Sequence, residues 1–135
     1  MSSRIEIIDC TLREGEQAAG VWLSADEKLR LLDALMAAGV KVVDAGMPSV
    51  SDAERDFFRR AAGRPELRLG ASTRARSEDV AMAIECGADD LFVICPVSRA
   101  HRTRRLGLDR QAFHGRIRTL IDMTHRAGCG FNLIA

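Results

Sequence analysis

The chain has 135 residues, a hydrophobic fraction of 47% and a formal net charge of +1 at pH 7. These values are typical of a single folded domain with an apolar core, and they exclude an intrinsically disordered chain. Aromatic residues make up only 4% of the sequence, so neither charge nor stacking points to a nucleic-acid binder. We expect a cytoplasmic protein, because the chain has no apolar signal segment and no stretch near the ~20 apolar residues of a membrane helix.

Short apolar runs alternate with longer amphipathic patterns along the whole chain. The runs predict five strands, at residues 5–9, 41–45, 67–71, 90–95 and 131–134. The amphipathic patterns predict four helices, which begin near Ser24, Ser51, Ser77 and Asp109. Ser24 and Ser51 are each followed three positions later by a glutamate, which is the spacing of a capping box.

The strict alternation of strand and helix predicts a parallel sheet covered by helices. Four βα units and a fifth strand amount to half of an eight-stranded (β/α) barrel, which takes ~250 residues. A flavodoxin-like doubly wound sheet needs only five parallel strands, so it is the alternative on length alone. The last predicted strand is followed by no helix, and we therefore expect residues 1–135 to form the amino-terminal half of a (β/α)8 barrel, cut after the fifth strand.

The densest group of ionisable and amide side chains follows the first predicted strand. Residues 9–17 have the sequence DCTLREGEQ, and α/β folds place their active sites at the carboxyl ends of strands. An arginine at this position can donate two directed hydrogen bonds to a carbonyl or alkoxide oxygen, and an adjacent carboxylate can bind a hard divalent cation. A solvated loop with internal salt bridges explains the same composition equally well.

This segment resembles the first signature of the DRE-TIM metallolyases, in particular the branch of homocitrate synthase and 2-isopropylmalate synthase. The resemblance extends over nearly the whole chain, through residues 43–48, 73–74, 96–101 and 106–110. It implies a (β/α)8 barrel and an acyltransferase that joins acetyl-CoA to a 2-oxo acid in a metal-dependent Claisen condensation.

The resemblance also implies catalytic roles. Arg13 would polarise the ketone of the oxo acid and stabilise the alkoxide formed from it. Asp44 would hold this arginine in place, at a position where the family usually has glutamate. Glu14 would bind the divalent metal, which is Mg²⁺, Mn²⁺ or Zn²⁺.

The implied small-molecule partners are the 2-oxo acid and acetyl-CoA as co-substrate. Three residues would contact the substrate by resemblance: Gln17, Arg74 and Ser98. Of these, Arg74 would pair with a substrate carboxylate through its two-pronged donor geometry. Asp9 is expected to tie the loop down rather than to bind metal.

The family completes its metal site with a His-x-His pair on a later strand. This chain has His101, His114 and His125, and no two of them lie two positions apart. One carboxylate does not bind a catalytic metal tightly, so we expect an incomplete site in this sequence. A second hypothesis is a catalytically silent half-barrel that serves as an assembly unit or remnant. Its unpaired sheet edges would self-associate or bind a complementary half-barrel.

Residues 99–118 form a basic stretch with seven arginines and one aspartate. We interpret this stretch either as a plain solvated face or as a face that attracts anionic oxo acids and coenzyme A phosphates. A nucleic-acid surface is the weaker interpretation, because aromatic residues do not alternate with the arginines.

Overall fold

A computed structural model describes residues 5–135, with the backbone alone for Arg105. Five strands form one sheet: β1 (Ile8–Asp9), β2 (Val42–Asp44), β3 (Arg68–Arg74), β4 (Asp90–Ile94) and β5 (Gly130–Ile134). The helices are α1 (Thr11–Glu14), α2 (Ala25–Ala37), α3 (Asp52–Ala61), α4 (Ser77–Glu85), α5 (Arg99–Arg105) and α6 (Arg110–Arg126). A 3₁₀ turn (Gly15–Gln17) follows α1 directly.

The order of the strands decides between the two predicted folds. All five strands are parallel, and their order in the sheet is the same as their order in the sequence. A flavodoxin-like sheet has the order 2-1-3-4-5 instead. Since each right-handed crossover moves on to the next strand in the same direction, the connecting helices all cover one face of the sheet. The predicted half-barrel is confirmed, and the doubly wound alternative is wrong.

The two faces of the sheet differ in chemistry because successive side chains of a strand point to opposite sides. The face towards the helices is apolar, and its fully buried or nearly fully buried residues include Val43, Leu69, Ala71, Leu91 and Val93. The opposite face, which we call the inner face, carries Asp44, Arg68, Gly70, Ser72, Asp90 and Phe92. The core of the chain therefore lies between the sheet and the helices, and polar groups are concentrated on the inner face.

The helix starts follow the predicted capping residues in part. The box at Ser24 is complete: its hydroxyl accepts from the Glu27 N–H at 3.3 Å, and the Glu27 carboxylate accepts from the Ser24 N–H at 2.8 Å. At α3 only half of the predicted box forms. The Ser51 hydroxyl accepts from the Glu54 N–H. The Glu54 carboxylate, however, accepts a hydrogen bond from Lys28 at 2.5 Å instead of one from the Ser51 N–H.

Other parts of the structure also differ from the prediction, and β3 runs on to Arg74, three residues beyond its predicted end. The first strand is shorter, since Ile5 and Ile7 are 88% and 77% exposed and precede the residues that pair with β2. Helix α4 starts with Ser77 as its first residue, and Arg76 occupies the cap position without a side-chain hydrogen bond. Helix α5 lies in the basic stretch, where the pattern predicts no helix before Asp109.

None of the helices in residues 5–135 is both long enough and apolar enough to cross a membrane.

Candidate active site

The single helical turn α1 places Arg13 just beyond the carboxyl end of β1. Asp9 fixes the start of this turn, because its carboxylate accepts hydrogen bonds from the Thr11 N–H at 2.9 Å and from the Thr11 hydroxyl at 3.2 Å. Leu12 is fully buried and holds the turn against the core. Asp9 therefore ties the loop down, as predicted, and Arg13 projects from a fixed backbone.

The guanidinium of Arg13 connects this turn to the next two strands. Its Nε donates to Asp44 Oδ2 at 2.5 Å, and the Asp44 side chain is only 4% exposed. The Ser72 hydroxyl lies 3.0 and 3.1 Å from the two Asp44 oxygens and donates its one proton to this carboxylate. Aspartate thus reaches the arginine although it is one methylene shorter than the usual glutamate. The contact predicted between Arg13 and Asp44 is present, and its catalytic use stays a prediction.

Burial and charge shift the protonation of these groups in different directions. Burial raises the pKa of Asp44, although the hydrogen bond and charge of Arg13 and the Ser72 hydroxyl act to lower it. Burial alone would lower the pKa of Arg13, but the hydrogen bond and charge of Asp44 prevail and raise it. Burial and the Asp44 charge also raise the pKa of Cys10 above its ordinary value, so this thiol is protonated at neutral pH.

Glu14 lies on the other side of the same guanidinium. Its Oε1 is 2.5 Å from Arg13 Nη1, and its side chain is 54% exposed. Within residues 5–135, no three His, Cys, Asp or Glu side chains come together in a group that could hold a metal ion. A hard divalent cation takes several oxygen ligands, so these residues alone do not fit a metal site. The predicted ligand role of Glu14 is therefore left as a prediction.

The three predicted substrate contacts lie on separate elements. Gln17 ends the 3₁₀ turn and is exposed. Arg74 ends β3, and its Nε and Nη2 donate to the two Asp79 oxygens at 2.6 and 2.9 Å, so one edge of its guanidinium is already occupied. The exposed Ser98 caps α5 by accepting from the His101 N–H at 3.3 Å. Their roles towards substrate stay predictions.

A buried ion triad next to the site is missing from the sequence-based prediction. Lys28 Nζ lies 2.8 Å from Glu16 Oε2 and 2.5 Å from Glu54 Oε1, and the lysine side chain is 1% exposed. The sequence does hold one signal for it. Lys28 lies four and seven positions before Leu32 and Leu35, on the apolar stripe of α2, where an unpaired charge would be costly.

The basic stretch covers α5 and the first part of α6. Arg110, His114 and Arg118 recur every fourth residue and line a shallow groove on α6. All three are exposed, in agreement with the predicted solvated face. Arg102 is half-buried, and its guanidinium packs over the Phe113 ring, 5.5 Å from the centroid.

The fold and the arginine-acid pair define a half-barrel with a polar site at the carboxyl ends of its strands. A crystal structure of hydroxymethylglutaryl-CoA lyase from Pseudomonas aeruginosa shares this fold, with a TM-score of 0.77 and 18% sequence identity. The match covers 96% of this chain and 45% of the lyase chain. The HMGL-like family matches residues 4–133, and the chain belongs to this family.

Curated relatives of this chain include synthases of the branch that the sequence resembles. Homocitrate synthase of Frankia alni is 40% identical over 124 residues, which are 90% of this chain and 35% of the relative. The 2-isopropylmalate synthase of Sulfolobus acidocaldarius is 30% identical over 118 residues, which are 86% of this chain and 31% of the relative. The 2-phosphonomethylmalate synthase of Streptomyces rubellomurinus is 31% identical, and the match covers 100% of this chain and 36% of the relative. The chain thus spans about a third of the length of these relatives.

Proposed function

We propose that the chain is the ketone-activating part of an acyltransferase of the homocitrate and 2-isopropylmalate synthase type. In this reaction the enolate of acetyl-CoA attacks the ketone carbon of a 2-oxo acid. A carbon–carbon bond forms, and the electron pair of the carbonyl moves onto its oxygen. The similarity to homocitrate and 2-isopropylmalate synthases supports the reaction class.

The observation that carries this proposal is the fixed orientation of Arg13. Asp44 holds its Nε and Glu14 contacts Nη1, while 22% of the arginine side chain is open to solvent. Donors that are fixed before charge develops stabilise an oxyanion without the cost of reorganisation. Arg13 would stabilise the alkoxide, and Asp44 would act by positioning Arg13.

The substrate side of the proposal rests on Arg74 and on the position of Gln17. Asp79 occupies the Nε and Nη2 edge of Arg74, which leaves Nη1 for the carboxylate of an oxo acid. Gln17 follows Arg13 in the same loop and would contact the oxo acid, and Ser98 would contact substrate from the β4 side. Residues 5–135 do not form a site for the divalent metal that the resemblance implies, and no step is assigned to it.

Isothermal titration of 2-oxoglutarate, 2-oxoisovalerate and pyruvate into the chain, each with Mn²⁺ present, tests the proposal. Arg13→Met is the test variant. Arg68→Met is its matched control, because Arg68 forms a similar pair with a buried aspartate at the opposite end of the sheet. We expect binding of at least one oxo acid, its loss in Arg13→Met and its retention in Arg68→Met. Equal binding by both variants, or no binding by the unaltered chain, contradicts the proposal.

A second candidate function is that of an assembly unit, and the exposed apolar residues at both sheet edges favour it. Within residues 5–135, β1 pairs only with β2, and β5 pairs only with β4. Ile7 and Ile8 at the first edge are 77% and 41% exposed, and Leu133 and Ile134 at the last edge are 42% and 46% exposed. Unpaired apolar edges are templates for pairing with a second chain.

Sedimentation equilibrium over a range of concentrations tests this second candidate. If β5 of one copy pairs with β1 of another, the chain is a dimer, and Ile8→Lys shifts it towards the monomer. Val97→Lys is the control, because Val97 is 47% exposed and follows β4 outside both edge strands. A monomer at every concentration contradicts the assembly role.

A further inference from the structure

The sequence contains two lysines, Lys28 and Lys41, and Lys28 is the buried one. Its side chain is 1% exposed, whereas that of Lys41 is 63% exposed. A buried ammonium group is costly unless charged partners replace water around it. The carboxylates of Glu54 and Glu16 replace water at 2.5 and 2.8 Å from Nζ. The Phe57 ring faces the ammonium group, with its centroid 5.1 Å from Nζ.

The two carboxylates come from segments that adjoin the Arg13–Asp44 pair. Glu16 lies in the 3₁₀ turn, three residues after Arg13, and its Oε1 also accepts from the Leu23 N–H at 3.3 Å. Glu54 belongs to α3, but its Oε2 accepts from the Met47 N–H at 3.2 Å, three residues after Asp44. Lys28 therefore joins the backbone that follows the arginine to the backbone that follows its aspartate.

The connection after β2 fits closely around this ion triad. Gly46 is buried and has a φ of +139°, a conformation that residues with side chains rarely adopt. A Cβ at Gly46 would lie 3.0 Å from Lys28 Nζ and would collide with the Glu54 carboxylate. The path of the loop next to Asp44 is thus set by contact with Lys28 and Glu54.

Without the ammonium group, two carboxylates would face each other in a space that is only partly open to solvent, since the side chains of Glu16 and Glu54 are 24% and 13% exposed. Like charges at such separations repel each other more strongly where burial limits access of water, so the two carboxylates would move apart. Because Glu16 and Glu54 are tied to the two loops, their separation would also move Arg13 relative to Asp44. We propose that Lys28 is a positioning residue that sets the Arg13–Asp44 contact through Glu16 and Glu54.

The meaning of this inference for catalysis rests on the proposed function, but its geometric content is tested without any activity. The readout is the Nε–H proton of Arg13 in a ¹H–¹⁵N spectrum, assigned by its disappearance in Arg13→Lys. A proton held between a guanidinium and a buried carboxylate exchanges slowly with solvent. Its exchange rate therefore reports the contact with Asp44 directly.

In Lys28→Met we expect this proton to exchange about tenfold faster or more, while the amide protons of Leu91 and Val93 in β4 keep their protection. Lys41→Met is the matched control and should change neither rate. An unchanged Arg13 rate in folded Lys28→Met overturns the inference. The same acceleration at Arg13 and in β4 also overturns it, because that pattern is a general loss of stability.

Glu16→Gln and Glu54→Gln keep the inference testable if Lys28→Met does not fold. Each variant leaves one ion pair of Lys28 intact and should accelerate exchange at Arg13 by a smaller factor. No acceleration in either variant overturns the inference. A chain that binds no oxo acid but shows the expected exchange pattern contradicts the proposed function and supports the role of Lys28.

Discussion

Two arginine–aspartate pairs lie at opposite ends of the inner face of the same sheet. At the carboxyl end, Arg13 Nε is 2.5 Å from Asp44 Oδ2, and at the amino end, Arg68 Nη2 is 2.6 Å from Asp90 Oδ2. The aspartate side chains are almost equally buried, with exposures of 4% and 2%. By residue type, distance and burial of the acid, the two pairs are nearly the same.

The pairs differ in what surrounds the arginine. Arg68 also binds Glu6 at 2.8 Å, so it joins the segment before β1 to β3 and β4. Asp90 is packed against β5, because a Cβ at Gly130 would collide with its carboxylate. Arg13 instead lies in a short turn beyond a strand, with the exposed Glu14 beside it. The comparison shows that position relative to the strand ends, rather than residue type, separates a candidate site from a structural ion pair.

The largest effect on the free energy of unfolding is expected from a substitution on β3, between the two pairs. Gly70 lies between them on β3, and a Cβ there would collide with the Phe92 ring and lie 2.8 Å from the Val43 carbonyl oxygen. We expect Gly70→Ala to lower the free energy of unfolding by about 3 kcal/mol, because the Phe92 ring and the Val43 carbonyl group cannot make room on the inner face without moving backbone. Urea unfolding measures this loss. The control is Gly115→Ala on α6, where a Cβ meets nothing within 4 Å and no loss is expected.

Loss of the arginine from either pair should have the next largest effect. Arg13→Met and Arg68→Met are each expected to lower the free energy of unfolding by about 2 kcal/mol, since a buried aspartate loses its cation while water and neighbouring donors compensate in part. Urea unfolding of both variants measures this. The two pairs are not comparable if one variant loses stability and the other does not.

A smaller effect is expected from Ser72, since among the described residues no hydroxyl donates to Asp90 in the Arg68–Asp90 pair. Ser72→Ala removes the hydroxyl that donates to Asp44 and should lower the free energy of unfolding by about 1 kcal/mol. The variant should also raise the pKa of Asp44 further, because the serine hydrogen bond acts to lower it. A ¹³C-detected titration of the Asp44 carboxyl group checks the direction. An unchanged or lower pKa would contradict the role assigned to Ser72.

Asp44 and Asp79 are expected to change the pH dependence of stability in opposite directions. This change in the free energy of unfolding is the smallest of the predicted effects. Burial raises the pKa of Asp44 on folding, so its contribution is present below the ordinary value of about 3.9 and is lost as pH rises through the folded pKa. Burial acts to raise the pKa of Asp79 as well, but the hydrogen bonds and charge of Arg74 prevail and lower it. The contribution of Asp79 is therefore present above about 3.9 and is lost as pH falls through its folded pKa.

Urea unfolding of Asp44→Asn and Asp79→Asn between acid and neutral pH measures both contributions. Relative to Asp44→Asn, the unaltered chain should lose stability as pH rises. Relative to Asp79→Asn, it should gain stability as pH rises. Slopes of the same sign would show that one of the two pKa directions is wrong.

The elements that the sequence predicts well are those with local signals. Strands β2 to β5 follow from short apolar runs, and the starts of α2 and α6 follow from Ser24 and Asp109, whose side chains cap nearby N–H groups. The short β1 could not be predicted, because its length depends on where β2 offers a partner. Helix α5 has a capping serine, but its arginine-rich sequence lacks the apolar stripe that marks a helix.

The sequence predicts those residues of the candidate site that are adjacent in the chain, but not the contacts between distant residues. Arg13 and Glu14 stand in one motif, whereas the partnership of Arg13 with Asp44 came from resemblance alone. The triad of Glu16, Lys28 and Glu54 joins residues up to 38 positions apart, and it forms only because α2 packs against α3 and the turn after β1 lies beside α2. The position of Lys28 on the apolar stripe of α2 indicates a buried charge, but its two partners depend on tertiary structure and no local pattern identifies them.

The identical order of strands in sequence and in space has a consequence for how the chain folds. Each strand pairs with the next one along the chain, so no pairing has to wait for a distant segment to arrive. Closing a loop of one βα unit costs less entropy than closing the whole chain. Each βα unit can therefore be added to the edge of a sheet that the preceding units have already formed.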